Sequence, residues 1–336
     1  MEYKSLGRTG VQVSNACLGT WTFGADKEGW GPNQEVSHKI IDECLELGIN
    51  FVDTADVYTR GASETIIGNY FTPEKRKKII LATKCYWKMD DEDPNAWGNT
   101  RRHIIESCEN SLKRLKTDWI DLFQIHRPQP SIPIDETLRA LDDLIRSGKV
   151  RYAGSSCYAG WQACEAHYVA KQLGINGYCT EQPPYNLLER RIERELLPFC
   201  RTYNYGVIPW SPLAFGQLTG KYLGNKKADG RINNGFNDFN DINPDRSEII
   251  SKLKEIACAN DMSLIQLSIA WVANQPGITC PILGFSKPQQ VKEPVAACNI
   301  KLSDDILAEI DKVVPPCSNH VNYYRSDFGP NARPNV

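Results

Sequence analysis

Eight short runs rich in β-branched and other apolar residues recur along the chain, at 16–21, 50–54, 79–84, 119–126, 150–157, 177–182, 206–211 and 280–285. Each gives way to a polar loop, and most loops lead into roughly ten to fifteen residues whose apolar positions fall at three-and-four spacing, the mark of a helix with one buried face. SHKIIDECLELG and IDETLRALDDLIRSG close on Gly48 and Gly148, each placed to be the C′ residue of a helix, where a positive φ is needed. RRHIIESCENSLKRL, WQACEAHYVAKQLG, RIERELLPFCRTY, DRSEIISKLKEIACAND and KPQQVKEPVAAC supply further helical stretches. Strands that alternate with helices have to pair in parallel, and eight such units close most naturally into a (β/α)8 TIM barrel. A doubly wound open sheet is the alternative. It is disfavoured because no G-x-G-x-x-G follows the first run and no second domain is apparent.

The length of 336 residues suits one barrel domain spanning 1–336 with insertions. At the start, YKSLGRTGVQVS sets a Gly-Arg-Thr-Gly turn between two short alternating runs, the pattern of a β-hairpin, which could cap the barrel floor. One segment breaks the rhythm: 223–244, LGNKKADGRINNGFNDFNDINP, is polar, aperiodic and too long for an ordinary connection. On a barrel such a loop is expected to fold over a site at the C-terminal face.

With hydrophobic residues at 41%, charged residues at 24% and a formal net charge of -2, the chain lacks the positive excess that nucleic acid demands. It has no apolar leader at its N-terminus and no window near the roughly 18 uninterrupted apolar residues of a bilayer span, so the reading is a soluble, cytoplasmic protein with no membrane partner. A monomer and a homo-oligomer are equally compatible with it. The twelve cysteines stand singly, without C-x-x-C, and are expected to be reduced packing residues rather than disulfides or metal ligands. His38, His103, His167 and His320 are expected to be solvated or packed, and the basic run EKRKK at 74–78 to be a solvated turn at the barrel floor.

In a barrel of this kind the C-terminal strand ends share one mouth, which gathers polar residues far apart in sequence. Asp53 ends the second run, Tyr58 follows in its loop, Lys84 ends the third and His126 ends the fourth. A lysine buried after IILAT is driven toward its neutral form, and Asp53 one strand away can hold it charged. An ammonium beside the Tyr58 hydroxyl favours phenolate, which is expected to lower the tyrosine pKa toward neutral pH. His126 adds a second donor for an oxygen in the same pocket.

At these residues the sequence resembles the aldo-keto reductases, and the resemblance covers nearly the whole chain. GINFVDTADVYTRGASE is similar to the family's G-x-x-x-x-D-T-A-x-x-Y-G-x-S/A-E segment, with Arg60 and Gly61 preserving the turn with one residue extra. ILATK resembles its strand-three lysine and IDLFQIHRP its strand-four histidine. The resemblance implies Tyr58 as general acid, with Asp53, Lys84 and His126 completing a catalytic tetrad. It implies NADPH as cofactor, NADH being the lesser alternative, and a small-molecule aldehyde or ketone as substrate.

The cofactor contacts implied are Gly19, Thr20, Trp21 and Asp53 from the early strand ends, Ser156 on the nicotinamide carboxamide, and Gln182 on its other side. AGSSCY stands where the family has I-G-V-S-N-F, so Cys157 replaces the usual asparagine. Trp210 would stack on the nicotinamide, and Ser211, Leu213, Gly216, Leu218 and Lys221 would follow as the pyrophosphate loop. PILGFSKPQQVKEPV resembles the adenosine-phosphate segment, with Ser286 and Gln290 toward the 2′-phosphate, Glu293 toward adenine, and Lys287 and Arg231 as nearby cations; Pro294 occupies the usual asparagine site. Trp21 and Trp87 are expected to line the substrate pocket together with Tyr58 and His126, while Trp30 and Trp97 also fall in the surrounding loops. Cys85 and Cys157, beside site residues, could make activity sensitive to oxidation.

The motifs AGSS, PWSPLA and VPPCSNHVNYY lean toward the microbial and potassium-channel β-subunit-like branch. An alternative to the reductase is therefore a cofactor-sensing regulatory subunit with little turnover. A metal-dependent barrel hydrolase lacks clustered His and carboxylate ligands at the strand ends.

Overall fold

The computed structural model describes residues 1–26, 29–224 and 244–321. Its centre is an eight-stranded parallel sheet built from β3 (Cys17–Gly19), β4 (Phe51–Asp53), β5 (Ile80–Cys85), β6 (Ile120–Ile125), β7 (Val150–Ser156), β8 (Tyr178–Gln182), β9 (Gly206–Val207) and β10 (Ile282–Gly284). The strands neighbour one another in chain order, and β10 returns to pair with β3. Backbone bonds from Thr279 N to Val207 O (2.8 Å) and Ile282 N to Pro209 O (2.9 Å) join the last two edges. The sheet thus closes into the expected (β/α)8 barrel, each expected run supplying one strand.

An antiparallel hairpin of β1 (Tyr3–Ser5) and β2 (Gln12–Ser14) precedes the barrel. Arg8 donates to Tyr178 O at the start of β8, and Lys4 donates to Ala273 O and Ile278 O, so the hairpin covers the N-terminal end as the turn residues imply. Beneath it Leu6 and Val13 join Cys17, Phe51, Ala82, Leu122, Ile208 and Ile282 in a compact inner cluster. The larger core lies outside this, between the strands and the ring of helices.

The helices Gln34–Glu46, Arg101–Leu115, Ile134–Arg146 and Gly160–Leu173 lie where the periodicity places them. Gly48 and Gly148 have φ of 87° and 77°, as their position past a helix end requires. RIERELLPFCRTY is broken instead into a 3-10 turn, Arg191–Glu193, and the helix Leu196–Tyr203. The helix Leu264–Asn274 carries no readable period because it is buried almost all round; its start is fixed by a capping box between Ser263 and Gln266.

EKRKK departs from expectation. Arg76 within it is 4% exposed, pairs with Asp121 Oδ2 at 2.6 Å and donates to Ile79 O and Trp119 O, so it is a buried clamp at the base of β5 rather than a solvated turn residue. All twelve cysteines are free thiols, most of them buried. Among the described residues no single helix is long and apolar enough to cross a membrane.

Candidate active site

Parallel pairing brings the ends of β4, β5 and β6 side by side: Asp53 sits opposite Ala82, Lys84 opposite Gln124. Side chains two residues apart on a strand share a face, and Phe51, Ala82 and Leu122 line the inside, so Asp53, Lys84 and Gln124 point into the barrel above them. Lys84 is fully buried, and its ammonium has three acceptors within reach: Asp53 Oδ1 at 2.6 Å, Thr54 O at 2.7 Å and the Tyr58 hydroxyl at 3.1 Å. An ammonium has three N–H groups, and each is used. The other carboxylate oxygen of Asp53 accepts from Gln124 Nε2 (3.0 Å) and Gln182 Nε2 (2.9 Å). A charged pair this deep is tolerated only when its remaining hydrogen-bonding capacity is also met, as it is here.

Burial alone would push the Lys84 pKa down, but Asp53, and after it Tyr58, outweigh burial and the ammonium ends raised above its ordinary value. For Tyr58 the balance falls the other way. Burial pushes the phenol up, the Lys84 charge only partly offsets this, and the net direction is upward. This corrects the expectation of a tyrosine acidified toward neutrality in the free protein. Because Lys84 donates to the Tyr58 oxygen, the phenol's own proton is directed elsewhere.

Tyr58 enters the mouth through the tight turn Tyr58–Gly61, in which Thr59 and Arg60 both adopt left-handed φ (48° and 49°) before the helix Ala62–Tyr70 begins. Its ring meets His126 edge-on, centroids 5.8 Å apart. Burial first, then Arg127 and Lys84, drive the His126 pKa well below its ordinary value, so the imidazole is neutral, and its Nδ1 is buried without a hydrogen-bond partner. The four residues picked out in sequence are thus brought together. Gln124 and Arg127 belong with them and carried no signal of their own; Arg127 donates to His126 O (2.8 Å) and to Cys157 Sγ (3.1 Å).

The other candidates are distributed around the same mouth. Ser156 ends β7 and its hydroxyl donates to Gln182 O at 2.8 Å. Gln182, expected on the far side of a carboxamide, turns its amide nitrogen inward to Asp53 and Gln124 instead. Gly19 is buried between β10 and β4. Thr20 is buried too, its hydroxyl committed to Asp53 O and Ser63. Past β9, Trp210, Ser211, Leu213 and Gly216 lie half-buried, Leu218 is fully buried and Lys221 exposed. Ser211, Ala214, Phe215 and Gly216 all have positive φ, a contorted cradle in which Ser211 Oγ accepts from Phe215 N at 3.1 Å.

Phe215, which carried no signal in the sequence, stands between Trp21 and Trp210, with centroids 5.8 and 6.2 Å away, and Trp30 packs on Trp21 at 5.4 Å. Trp87 is half-buried, edge-on to Tyr86, with the Arg127 guanidinium 6.0 Å from its ring centre, whereas Trp97 is exposed. After β10, Ser286 N, Ser286 Oγ and Lys287 N all donate to Gln290 Oε1 at 2.9–3.2 Å. Glu293 is exposed and accepts from Ser263 Oγ. Arg231 and the loop segment 225–243 fall outside the described residues.

A sequence profile described as the Aldo/keto reductase family matches residues 15–315. Among similar proteins, a probable voltage-gated potassium channel subunit beta of Oryza sativa subsp. japonica is 37% identical over 335 residues, covering 97% of this chain and 100% of the relative. The uncharacterized oxidoreductase YrpG of Bacillus subtilis (strain 168) is 37% identical over 326 residues, covering 94% and 96% respectively. A versiconal hemiacetal acetate reductase of Aspergillus parasiticus is 32% identical over 343 residues, covering 95% and 99%. With a family profile spanning nearly the whole chain and full-length relatives above 30% identity, this chain belongs to the aldo/keto reductase family.

Proposed function

We propose that the protein is an NADPH-dependent reductase of aldehydes or ketones in which Tyr58 is the general acid. One observation carries the reading: a single buried ammonium, Lys84, is shared between Asp53 and the Tyr58 hydroxyl. When bound, NADPH supplies the hydride. Tyr58 delivers its proton to the carbonyl oxygen as that oxygen gains charge, and Lys84, held cationic by Asp53, stabilises the phenolate left behind. Neutral His126 hydrogen-bonds the same oxygen and orients it, and Trp21 and Trp87 flank the substrate. After release of the alcohol, Tyr58 regains its proton from solvent.

The residues fit a nicotinamide dinucleotide. Ser156 ends β7 and Trp210 follows β9, with β8 between them, as the proposed carboxamide partner and ring platform, and the strained 211–216 segment would serve the pyrophosphate. The three donors converging on Gln290 Oε1 are the kind of group an anionic phosphate oxygen takes over from a neutral amide. Lys287 beside them favours NADPH over NADH.

The test is steady-state oxidation of NADPH with a panel of aldehydes and ketones. Tyr58→Phe should keep NADPH binding within a few-fold and lower kcat by about 10²-fold, the usual scale for losing a positioned acid. Retained turnover removes Tyr58 from the role. A second reading draws on the relatives named as potassium channel β-subunits: a cofactor-sensing subunit using the same tetrad with little turnover. Turnover below about one per hour with every carbonyl, alongside tight NADPH binding, would favour it over a reductase, whose kcat is typically nearer ~1 per second or above.

A further inference from the structure

Glu181 is fully buried on β8, next to Gln182, and belongs to none of the groups assigned above. Along most of the β7–β8 ladder the pairing is regular, but the register shifts from Ala153 opposite Tyr178 to Gly154 opposite Thr180, skipping Cys179. A shift of this kind reverses which face each following residue takes. Gly154 allows the tight approach that results, since a Cβ there would meet Thr180 Oγ1 at 2.2 Å. Beyond the shift, Gln182 points into the barrel toward Asp53, and Glu181 therefore points out through the wall.

There its carboxyl group bridges two neighbours. Oε2 lies 2.5 Å from Ser155 Oγ, on the opposite strand, and Oε1 accepts the backbone N–H of Tyr158 at 3.0 Å. Between those anchors lie Ser156 and Cys157. Cys157 has φ of +62°, a left-handed conformation that a side chain with a Cβ adopts only when its surroundings enforce it. Ser156 Oγ and Cys157 N both bond Gln182 O, at 2.8 and 3.3 Å, so the turn is tied to β8 on its inner side through Gln182 and on its outer side through Glu181.

We propose that Glu181 is a positioning residue: by clamping Ser155 to the Tyr158 peptide it holds Cys157 in its left-handed turn and so fixes Ser156 at the edge of the nicotinamide pocket. The inference rests on the cofactor reading above and extends it to a residue that touches neither cofactor nor substrate. It concerns affinity for the cofactor, because Tyr58, Lys84 and His126 are carried by other strands.

Glutamine can take over the clamp. Its Oε1 accepts from Tyr158 N, and its amide donates to Ser155 Oγ, whose own proton has Thr180 O as an acceptor 3.3 Å away. Alanine breaks the bridge between the two anchors, leaving Tyr158 N without its acceptor and Ser155 Oγ with only Thr180 O. Glu181→Gln should therefore bind NADPH within about threefold of the unmodified protein, while Glu181→Ala raises the NADPH Kd, read by quenching of tryptophan fluorescence, by about tenfold or more with kcat at saturating NADPH kept within about threefold.

Equal Kd values for all three proteins overturn the clamp, as does a fall in kcat at saturating NADPH without a change in Kd. Should Glu181→Ala lose its cooperative melting transition, Ser155→Ala, which removes one anchor only, decides the matter: a Kd raised about threefold supports the clamp and an unchanged one refutes it. An unmodified protein that fails to bind NADPH overturns the cofactor reading itself, an outcome distinct from binding that is insensitive to position 181.

Discussion

Replacing Asp53 by asparagine tests the central pair directly. The carboxylate serves two sets of donors, Lys84 on Oδ1 and the amides of Gln124 and Gln182 on Oδ2. An asparagine side chain has one oxygen, so its amide nitrogen must face either an ammonium or two N–H donors. The lost attraction is about 6 kcal/mol for unit charges at the observed 2.6 Å in an effective dielectric of about 20, and Thr54 O and Tyr58 retain part of the solvation of the lysine. Breaking a buried pair on one side typically costs about 3–5 kcal/mol, and urea unfolding should register a loss of that size with an unchanged m-value. With Asp53 gone, only Tyr58 and the Thr54 carbonyl are left to offset the downward push of burial on Lys84, which holds its proton less firmly. The phenolate of Tyr58 then has a weaker counter-charge, and kcat should fall by about 10²-fold or more even in the protein that remains folded. A loss of less than about 1 kcal/mol together with full activity would refute the claim that this pair both supports the mouth and tunes the tyrosine.

Two further expectations follow from the titrating groups. His126 is held neutral far below its ordinary value by burial, Arg127 and Lys84, so the kcat/KM profile for carbonyl reduction should show no inflection near pH 6.5; one that disappears on His126→Asn would contradict a neutral imidazole in the free enzyme. Glu181 is pushed up to about 8 and Glu189 to about 7, in both cases chiefly by burial. Between the ordinary carboxyl value and these, the folded chain keeps protons that the unfolded chain has released, so stability should fall as pH rises from about 4.5 to about 8. Taken over both carboxyls the fall should be on the order of 8 kcal/mol, since each tenfold difference in proton affinity between folded and unfolded chain is worth about 1.4 kcal/mol. Glu181→Gln should flatten the upper part of that slope in denaturation measured across the range, and an identical slope in both proteins would count against the assignment.

The barrel was legible because its signal is local and repeated: each strand is a short apolar run, and the register between strands follows once the runs are placed in chain order. That the four residues proposed as a catalytic tetrad come together was legible for a related reason, since Asp53, Lys84 and His126 sit at or one residue from the ends of three adjacent strands. What escaped depends on interactions between strands rather than along them. Gln124 looks like any residue of a buried run until β5 and β6 are paired beside β4, and Glu181 looks like a polar residue in a buried strand until the register shift turns it outward. Arg76 reads as one of four basic residues in five, yet it alone reaches Asp121. The helix Leu264–Asn274 is silent because a helix buried on every side has no polar face to set a period.

If Tyr58 is the general acid, as proposed above, the direction in which its pKa moves bears on how the four residues would work together. A general acid that had already ionised at neutral pH would have no proton to give, so a phenol kept protonated by burial is the useful resting state for carbonyl reduction. The need for stabilisation arises only as the proton leaves, and at that moment the Lys84 ammonium is already 3.1 Å from the oxygen, fixed by Asp53 and Thr54 O and requiring no rearrangement. The same low dielectric that raises the resting pKa strengthens that attraction once charge appears. Burial and the lysine are therefore not opposing devices of which one happens to win: the first protects the reactant state of the acid, and the second lowers the cost of its product state. Lys84 placed farther off would leave the resting tyrosine protonated and still slow the reaction, which is why activity, rather than the resting pKa, is the quantity that reports on this cation.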